Sequence, residues 1–320
     1  MNIKMLKSRV PTNYPWALGT KSSRSTKLFD GKRLAIFKVP KGKTRAVDDV
    51  CPHRGARLSK GRVRNGCIEC PYHGWKFDGN GKLVSVPTTD SIPKNGDVKS
   101  YNIEELYDFV WNVPKDSPVS PPLFQMLDDP KWKRVSGSEE VKGNWVDWIS
   151  NSTDISHINF VHDFGNEKNG TIDEMIIEDL PGRTLCTAYV RPKAASVLTQ
   201  HMQINRSPIK VEFVYPNTTI IHIKLKKPYE FITYTTVTPM TKDTSRITWS
   251  FAYNVNLPIL DNHFSYQMKR TISEDEAIIS EIPRDFPFKV NVPCDRFQMT
   301  VLDNLNKLVL DNEENLFTLL

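Results

Sequence analysis

Long apolar runs and disulfide-forming cysteines are both scarce in this 320-residue chain. It has no apolar stretch of the roughly 18 residues that a transmembrane helix needs, so we expect no membrane span. The first ten residues include three basic side chains but no apolar segment of signal-peptide length, which argues against secretion. Five cysteines are too few, and an odd number, for a disulfide framework. We therefore expect a cytoplasmic protein, in whose reducing environment clustered cysteine and histidine more often bind metal.

The charge is unevenly distributed along the sequence. Residues 1–64 hold 17 Lys and Arg against 3 Asp, a net charge of +14, whereas the whole chain carries +6. Such a basic segment suggests an acidic partner, either nucleic acid or an acidic protein, and the alternative is a solvated surface with no partner. The 39% hydrophobic and 25% charged residues are typical of a globular chain, and the length suits one large or two ordinary domains.

Two parts of the chain differ in their predicted secondary structure. Short strand-like runs with Gly and Pro punctuation fill the first part and predict a small all-β domain. Four prolines within residues 114–122 mark a boundary, and we place the domains at 1–118 and 119–320. The second part predicts a helix at 144–164 and an amphipathic helix at 295–310, so the fold class is α+β. Between these helices lie five runs rich in strand-forming residues, at 185–190, 211–215, 218–224, 231–238 and 246–255.

Two cysteine–histidine pairs form the first candidate metal site. One residue separates Cys51 from His53, two separate Cys70 from His73, and 16 residues lie between the pairs. Two thiolates and two imidazoles suit a [2Fe–2S] cluster in which one iron takes both cysteines and the other takes both histidines. The competing interpretation is a structural zinc site that uses Cys67 with the first three of these residues. It leaves the spacing of His73 unexplained, so we expect Cys67 to serve as a small apolar side chain.

These pairs lie in the sequences Cys51-Pro-His-Arg-Gly and Cys70-Pro-Tyr-His-Gly-Trp, which resemble the Rieske iron–sulfur signature. The stretch from Trp16 to Pro87 resembles the N-terminal domain of Rieske-type non-haem iron oxygenases over its whole length. The signature alone does not separate an oxygenase from a small Rieske ferredoxin or a respiratory-complex subunit. A ferredoxin would be much shorter than this chain, and a respiratory subunit would need a membrane anchor.

A second motif, Asp154-x-x-His157-x-x-x-x-His162, favours the oxygenase. Two imidazoles and one carboxylate on one face of Fe(II) leave coordination positions open for dioxygen and substrate. In an ideal α-helix His157 and His162 would point about 140° apart. We therefore predict a distorted helix with a widened π-type turn. Asp154 lies three residues before His157, where its side chain could hold a ring N–H rather than bind the iron.

The resemblance implies further site residues. In the family, an aspartate at the position of Asp154 joins the two metal centres across a subunit boundary. Asn151 matches a family asparagine near the metal, where it would be a distant, weak ligand. The third iron ligand of the family comes from a later helix, and the best match is Asp295 in the sequence Val292-Pro-Cys-Asp-Arg.

Asp295 has an alternative role, because aspartate is also favoured as a helix N-cap. Other acidic candidates for the third ligand look more like a solvated charge run; they are Glu274, Asp275 and Glu276. Three further histidines are expected not to bind the metal, namely His201, His222 and His263. Five aromatic residues are candidates for an apolar pocket wall, but we favour core positions for them: Phe160, Phe213, Tyr215, Phe231 and Tyr234.

The resemblance also implies a fold and a function. It implies a catalytic domain of helix-grip-like fold, an antiparallel sheet flanked by helices, with a mononuclear Fe(II) in addition to the [2Fe–2S] cluster. It implies a terminal oxygenase, a monooxygenase that takes electrons from a ferredoxin or flavin reductase and uses O2 to hydroxylate or demethylate a small cyclic organic substrate. A homotrimer is implied, and we expect no nucleic-acid partner. The alternative is a Rieske electron-transfer protein with a vestigial second iron site.

Overall fold

The chain forms two compact units, seen in a computed structural model that describes residues 3–28, 30–166, 168, 170–191, 206–255, 259–283, 286 and 290–319. The β unit spans Thr12–Pro121, and the α+β unit combines Met1–Pro11 with Pro122–Leu320. The predicted boundary after residue 118 lies close to the end of the β unit. The segment up to Pro11, which the prediction placed in the first domain, groups with the α+β unit instead.

Three small antiparallel sheets make up the β unit, as predicted for an all-β domain. Its strands are β2 (Trp16–Thr20), β3 (Ser25–Lys27), β4 (Arg33–Lys38), β5 (Thr44–Asp48), β6 (Arg62–Arg64), β7 (Cys67–Glu69), β8 (Lys76–Phe77), β9 (Leu83–Ser85), β10 (Ser100–Tyr101), β11 (Ile103–Leu106) and β12 (Phe109–Asn112). The strand orders are β10-β5-β4-β3, β11-β12-β2 and β6-β7-β8-β9. Apolar side chains such as Phe37 and Phe77 form a core that also includes Cys51 and Cys70.

A seven-stranded antiparallel sheet forms the centre of the α+β unit. Its strands are β13 (Lys133–Lys142), β14 (Asp173–Leu180), β15 (Arg183–Val190), β16 (Ser207–Val214), β17 (Thr218–Lys224), β18 (Glu230–Pro239) and β19 (Thr244–Tyr253). They lie in the order β13-β19-β18-β17-β16-β15-β14. Burial alternates along β16 because successive side chains of a strand point to opposite faces of the sheet. All five predicted strands are present, and the two edge strands, β13 and β14, were not predicted.

Helices pack against this sheet and complete the α+β unit. They are α1 (Ile3–Ser8), α2 (Trp145–Thr153), α3 (Ile158–Val161), α4 (Ile259–Ile279) and α5 (Arg296–Asp311). Contacts join α2 to β17 and β18, α4 to β13 and β19, and α5 to β15. The buried residues of α5 lie on one face and confirm the amphipathic helix predicted at 295–310: Phe297, Val301, Leu302, Leu305 and Val309. Within the described ranges, no helix has both the length and the apolar character to cross a membrane.

The N-terminal segment is held in the α+β unit by a strand pair and a buried ion pair. Strand β1 (Arg9–Pro11) pairs antiparallel with β20 (Leu316–Thr318) near the other end of the chain. Lys7 Nζ lies 2.7 Å from Asp147 Oδ1 on α2, and each side chain is only 8% exposed. Burial raises the pKa of the Asp147 carboxyl, and the neighbouring Lys7 opposes that rise. Each charge therefore depends on the other for its place in the interior.

We expect Lys7→Ala to lower the free energy of unfolding by about 3–5 kcal/mol, because it leaves the Asp147 charge buried without its partner. Lys4 lies in the same helix with an exposed side chain, so Lys4→Ala should cost less than about 1 kcal/mol. Urea unfolding of both variants, followed by circular dichroism, measures the difference. Equal destabilisation by the two substitutions would contradict a special contribution from the buried pair.

Candidate metal centres

Cys51 and Cys70 each begin a loop, and the two loops have the same pattern of backbone hydrogen bonds. Each cysteine N–H donates to the carbonyl five residues later, at 2.9 Å for Cys51 and 2.8 Å for Cys70. The glycine four residues after each cysteine donates back to the cysteine carbonyl, at 2.9 Å for Gly55 and 3.1 Å for Gly74. Both glycines have positive φ angles, 75° and 72°, which glycine adopts without a steric penalty. The repeated sequence pattern thus produces two matching loops, each presenting one cysteine and one histidine.

The four side chains of these loops fit a [2Fe–2S] cluster. The thiols of Cys51 and Cys70 are buried, with each residue 2% exposed, and the ring centroids of His53 and His73 lie 4.6 Å apart. The His53 ring also stacks on Trp75. Its Nδ1 is buried without a hydrogen-bond partner in the described part of the chain, which is rare for a polar atom unless it binds another group. Two thiols and two imidazoles are the donor set that a Rieske-type cluster requires.

Cys67 stands apart from these donors. Burial and, to a smaller extent, the neighbouring Cys70 raise the pKa of the Cys51 thiol to about 11, so both thiols belong to one buried environment. Cys67 is instead half-buried on β7, where its Sγ lies 3.9 Å from the Asn65 carbonyl oxygen. It lies outside the apolar core that includes Cys51 and Cys70. This placement gives no support to a zinc site built with Cys67.

Two histidines and one aspartate converge inside the α+β unit. Oδ1 of Asp275 lies 3.4 Å from Nε2 of His157 and 3.4 Å from Nε2 of His162. One ligand atom of each residue lies within 4.8 Å of the other two, and no second group of this kind occurs among the residues that the structure describes. Burial disfavours a charged ring, yet the Asp275 carboxylate raises the pKa of His157 above its usual value. The site therefore attracts positive charge, and its donors suit a mononuclear non-haem iron.

The outer nitrogen of each histidine ring meets a protein acceptor. Nδ1 of His157 donates to the backbone carbonyl of Asp154 at 2.7 Å, and Nδ1 of His162 donates to the Glu274 carboxylate at 3.0 Å. The proton is thereby held on Nδ1, so that each Nε2 lone pair is available to a metal ion. Glu274 is fixed in turn by Arg270, whose Nε donates to its other carboxylate oxygen at 2.9 Å.

A break in the helix, rather than a π-type turn, places the two histidines. The prediction of one distorted helix over 144–164 is wrong, because α2 ends at Thr153 and the one-turn α3 begins five residues later, at Ile158. In the gap, the Asp154 carboxylate accepts the backbone N–H of Ser156 at 2.7 Å and its hydroxyl at 2.6 Å. Such local side-chain bonds compete with helix formation. The histidines flank α3, one at each end, and both rings reach the same carboxylate.

Asp275, and not Asp295, lies beside the two histidines. Asp295 precedes α5, where its carboxylate accepts the Val292 N–H at 2.8 Å, so its observed role is local to the helix start. The run 274–276 is not simply solvated, because Asp275 is only 6% exposed and Glu276 accepts a backbone N–H at 2.7 Å. The carboxylate that the structure brings to the two histidines is therefore that of Asp275 and not that of the predicted Asp295. The physical reason is that α4 turns this one acid of the run toward the interior.

Asn151 and Asp154 both lie at the edge of this site. The Asn151 amide donates to Oδ1 of Asp275 at 3.2 Å, so it contacts the carboxylate that the histidines face. Asp154 supports His157 through its backbone carbonyl, whereas the prediction assigned that contact to its side chain. Its carboxylate instead accepts the two hydrogen bonds from Ser156.

A cavity of about 280 Å³ lies beside the two histidines and the aspartate, and these three residues form part of its lining. Among the other histidines, His263 lines this cavity, His222 faces the other side of the sheet and pairs with Glu230 at 2.8 Å, and His201 lies outside the described residues. Phe231 is the one predicted aromatic in the cavity wall. The others are divided between the core, which holds Phe213, Tyr215 and Tyr234, and the surface, where Phe160 is 65% exposed.

Two family models match the chain in the order that the two sites suggest. The Rieske [2Fe-2S] domain matches residues 17–102, and the vanillate O-demethylase oxygenase C-terminal domain matches residues 141–311, more than half of the chain. A Rieske domain binds a [2Fe–2S] cluster, and the oxygenase domain of this family carries a mononuclear non-haem iron.

Two curated relatives each match about two fifths of the chain. Cholesterol 7-desaturase of Bombyx mori is 34% identical over 137 residues, which are 41% of this chain and 30% of that protein. The oxygenase component of dicamba O-demethylase from Stenotrophomonas maltophilia is 36% identical over 134 residues, 40% of each protein. The matched region therefore spans less than half the length of either relative.

The fold is shared over nearly the whole chain with a solved structure. The crystal structure of dicamba monooxygenase bound to dicamba superposes with a TM-score of 0.80 at 22% identity, covering 95% of this chain and 98% of that one. At this identity the similarity shows a shared fold, whereas the family of the chain is shown by the two matched family models. The chain belongs to the Rieske non-haem iron oxygenases, in the family defined by the vanillate O-demethylase oxygenase C-terminal domain.

Proposed function

We propose that the chain is the terminal oxygenase of a multicomponent Rieske system in the cytoplasm. Its substrate is a small organic molecule that it hydroxylates, or demethylates by hydroxylating a methyl carbon. In this monooxygenation, O2, two electrons, two protons and a C–H bond give a C–OH group and water. The electrons come from a ferredoxin or a flavin reductase. The observation that carries the proposal is the convergence of His157, His162 and Asp275 on the wall of an apolar cavity.

The chain's own residues have distinct tasks in this proposal. When bound, the [2Fe–2S] cluster supplies single electrons and the mononuclear iron supplies the site of oxygen activation. Asn151 orients the Asp275 carboxylate, and Glu274 holds the His162 ring in the metal-binding tautomer. The apolar cavity wall excludes water from the reacting carbon. The proposed ligands of the cluster are Cys51, His53, Cys70 and His73, and those of the mononuclear iron are His157, His162 and Asp275.

The electron-transfer alternative explains less of the molecule. A vestigial second site has no need for two oriented imidazoles, a buried carboxylate and a carboxylate that fixes one ring. These groups lie together at the wall of a ligand-sized cavity, which a pure electron carrier does not use.

Substitution of three acidic residues tests the ligand assignment. Asp275→Asn should lose the mononuclear iron, whereas Asp295→Asn should retain it, because Asp295 contacts only its own helix start. Glu274→Gln should weaken iron binding by about 10- to 100-fold, since the His162 ring loses its charged acceptor.

The mononuclear iron is measured by electron paramagnetic resonance of its nitric oxide adduct, and the cluster separately by visible absorption. Loss of the adduct signal in Asp295→Asn with retention in Asp275→Asn would reverse the assignment. Loss of cluster absorption in either variant would identify a general folding defect rather than a ligand effect.

We further propose a head-to-tail homotrimer in which Asp154 of one protomer contacts His73 of the next. Repeated head-to-tail contacts close into a ring when the rotation allows it. Two exposed aromatic residues support an interface at these places. Tyr72 precedes His73 and is 65% exposed, and Phe160 lies six residues after Asp154 with the same exposure.

Asp154→Asn tests this bridge and the activity together. The asparagine oxygen can still accept both Ser156 hydrogen bonds, so the turn is retained while the charge is lost. We expect both metals to remain and product formation to fall by about 10- to 100-fold. Ser156→Ala removes one of the same hydrogen bonds without a charge change and should keep most of the turnover. Oxygen uptake coupled to product is the measurement, and normal turnover in Asp154→Asn would contradict the bridge.

The electron donor is proposed to dock on basic residues beside the cluster loops. Arg57 and Arg62 are already paired, with Asp49 at 3.1 Å and with Glu69 at 2.5 Å. The remaining basic residues of this region are exposed and available to an acidic protein: Arg54, Lys60 and Arg64. Charge complementarity of this kind accelerates association rather than chemistry.

Reduction of the cluster by an acidic donor should slow as salt is added, by about tenfold when the screening length falls from about 10 Å at 0.1 M to about 3 Å at 1 M. Lys60→Glu and Arg64→Glu should each slow reduction at low salt. Lys115 is also exposed but lies well after the cluster loops in the sequence, so Lys115→Glu serves as the matched control. Stopped-flow absorption of the cluster measures the rate. A rate independent of ionic strength would rule out electrostatic docking at this surface.

A further inference from the structure

The cavity beside the His157–His162–Asp275 cluster is walled by two apolar surfaces. One is the face of the central sheet, where alternate residues of β17 and β18 such as Ile221 and Phe231 point inward. The other is the inner face of α4, which carries Phe264, Met268 and Ile272 at helical spacing. A ligand in this cavity is therefore shielded from water on both sides, and apolar contacts with the walls replace its contacts with water.

Charge is distributed unusually in this lining. Among the described lining residues there is no Lys or Arg, and the charged members are two acids, Asp154 and Asp275. A carboxylate ligand would lose its hydration without gaining a protein cation, and it would also face these acids. Among the lining residues that the structure describes, positive charge would come from a metal held by His157, His162 and Asp275, at the reacting end of a ligand rather than along the apolar walls.

The polar groups of the lining are neutral hydrogen-bonding groups. On α4, His263, Gln267 and Thr271 follow one another at intervals of four residues and so share a face. Burial lowers the pKa of His263, which favours the uncharged ring. Thr233 and Thr235 add hydroxyls from β18. Hydroxyl, amide and neutral imidazole groups can orient an oxygen-bearing ligand without demanding a charge on it.

We propose that the substrate is a neutral, largely apolar organic molecule carrying a hydroxyl, ether or carbonyl oxygen, and that the cavity discriminates against carboxylates. This inference rests on the proposed oxygenase function but concerns only what the cavity binds. It separates this chain from any family member whose pocket pairs the carboxylate of an acid with a cation.

Matched pairs of an acid and its methyl ester test the proposal by binding alone. Suitable pairs are 4-methoxybenzoate with methyl 4-methoxybenzoate, 3-chlorobenzoate with its methyl ester, and 6-methoxy-2-naphthoate with its methyl ester. Calorimetric titration into the anaerobic, iron-loaded protein should show each bound ester at least tenfold tighter than its acid. Tighter binding of the acid in any pair would overturn the proposal, and so would failure of every ester to bind at millimolar concentration.

A cation introduced into the cavity should reverse this preference. Gln267→Arg should gain at least tenfold affinity for the acids, whereas Gln267→Leu, the matched change without charge, should keep the preference for the esters. Thr235→Lys repeats the test from the opposite wall, and the visible absorption of the cluster confirms that each variant is folded. No gain of acid binding in either cationic variant would show that charge is not the basis of selection.

Oxygen uptake with the same probes separates this inference from the function on which it rests. If the acids bind tighter and support oxygen uptake, the substrate class is wrong while the oxygenase function stands. If the esters bind tighter but no bound probe supports oxygen uptake, the proposed function is contradicted while the inference about the cavity stands.

Discussion

The buried carboxylate of Asp275 is the group on which the catalytic unit depends. It is 6% exposed and faces two imidazole nitrogens, each 3.4 Å from the same oxygen, with the Asn151 amide nearby. A carboxylate in such surroundings needs a compensating positive charge. A metal ion held among the three side chains, as proposed, would supply that charge. The same three donors leave room on the metal for O2 and substrate.

Much of the surrounding structure keeps this convergence in place. The Asp154–Ser156 turn ends α2 and lets both rings approach one point from the two ends of α3. Helix α4 contributes Asp275, contributes Glu274 against the outer nitrogen of His162, and forms one wall of the cavity. One helix thus links metal binding, ring orientation and substrate contact. A small rotation of α4 would disturb all three together, because the side chains of one helix keep fixed directions relative to one another.

Sequence patterns predicted the parts of the molecule that local rules determine. The five inner strands were predicted because they are rich in β-branched and aromatic residues. The edge strands β13 and β14 were missed, and few of their side chains are buried. The spacing of Cys51, His53, Cys70 and His73 predicted the Rieske domain, and their role as cluster ligands stays a prediction. The acid that lies beside the two histidines was not predicted, for a physical reason. In a run of three consecutive acids, only tertiary packing decides which one a helix turns inward, and here it is Asp275.

We expect one chain to hold two different iron sites, a sulfide-bridged pair in the β unit and a single iron in the α+β unit, and the functional proposal depends on this expectation. The iron and acid-labile sulfide content of the purified wild-type protein tests it most directly. About three irons and about two sulfides per chain are expected. Two irons with two sulfides, or zinc in place of the third iron, would contradict it.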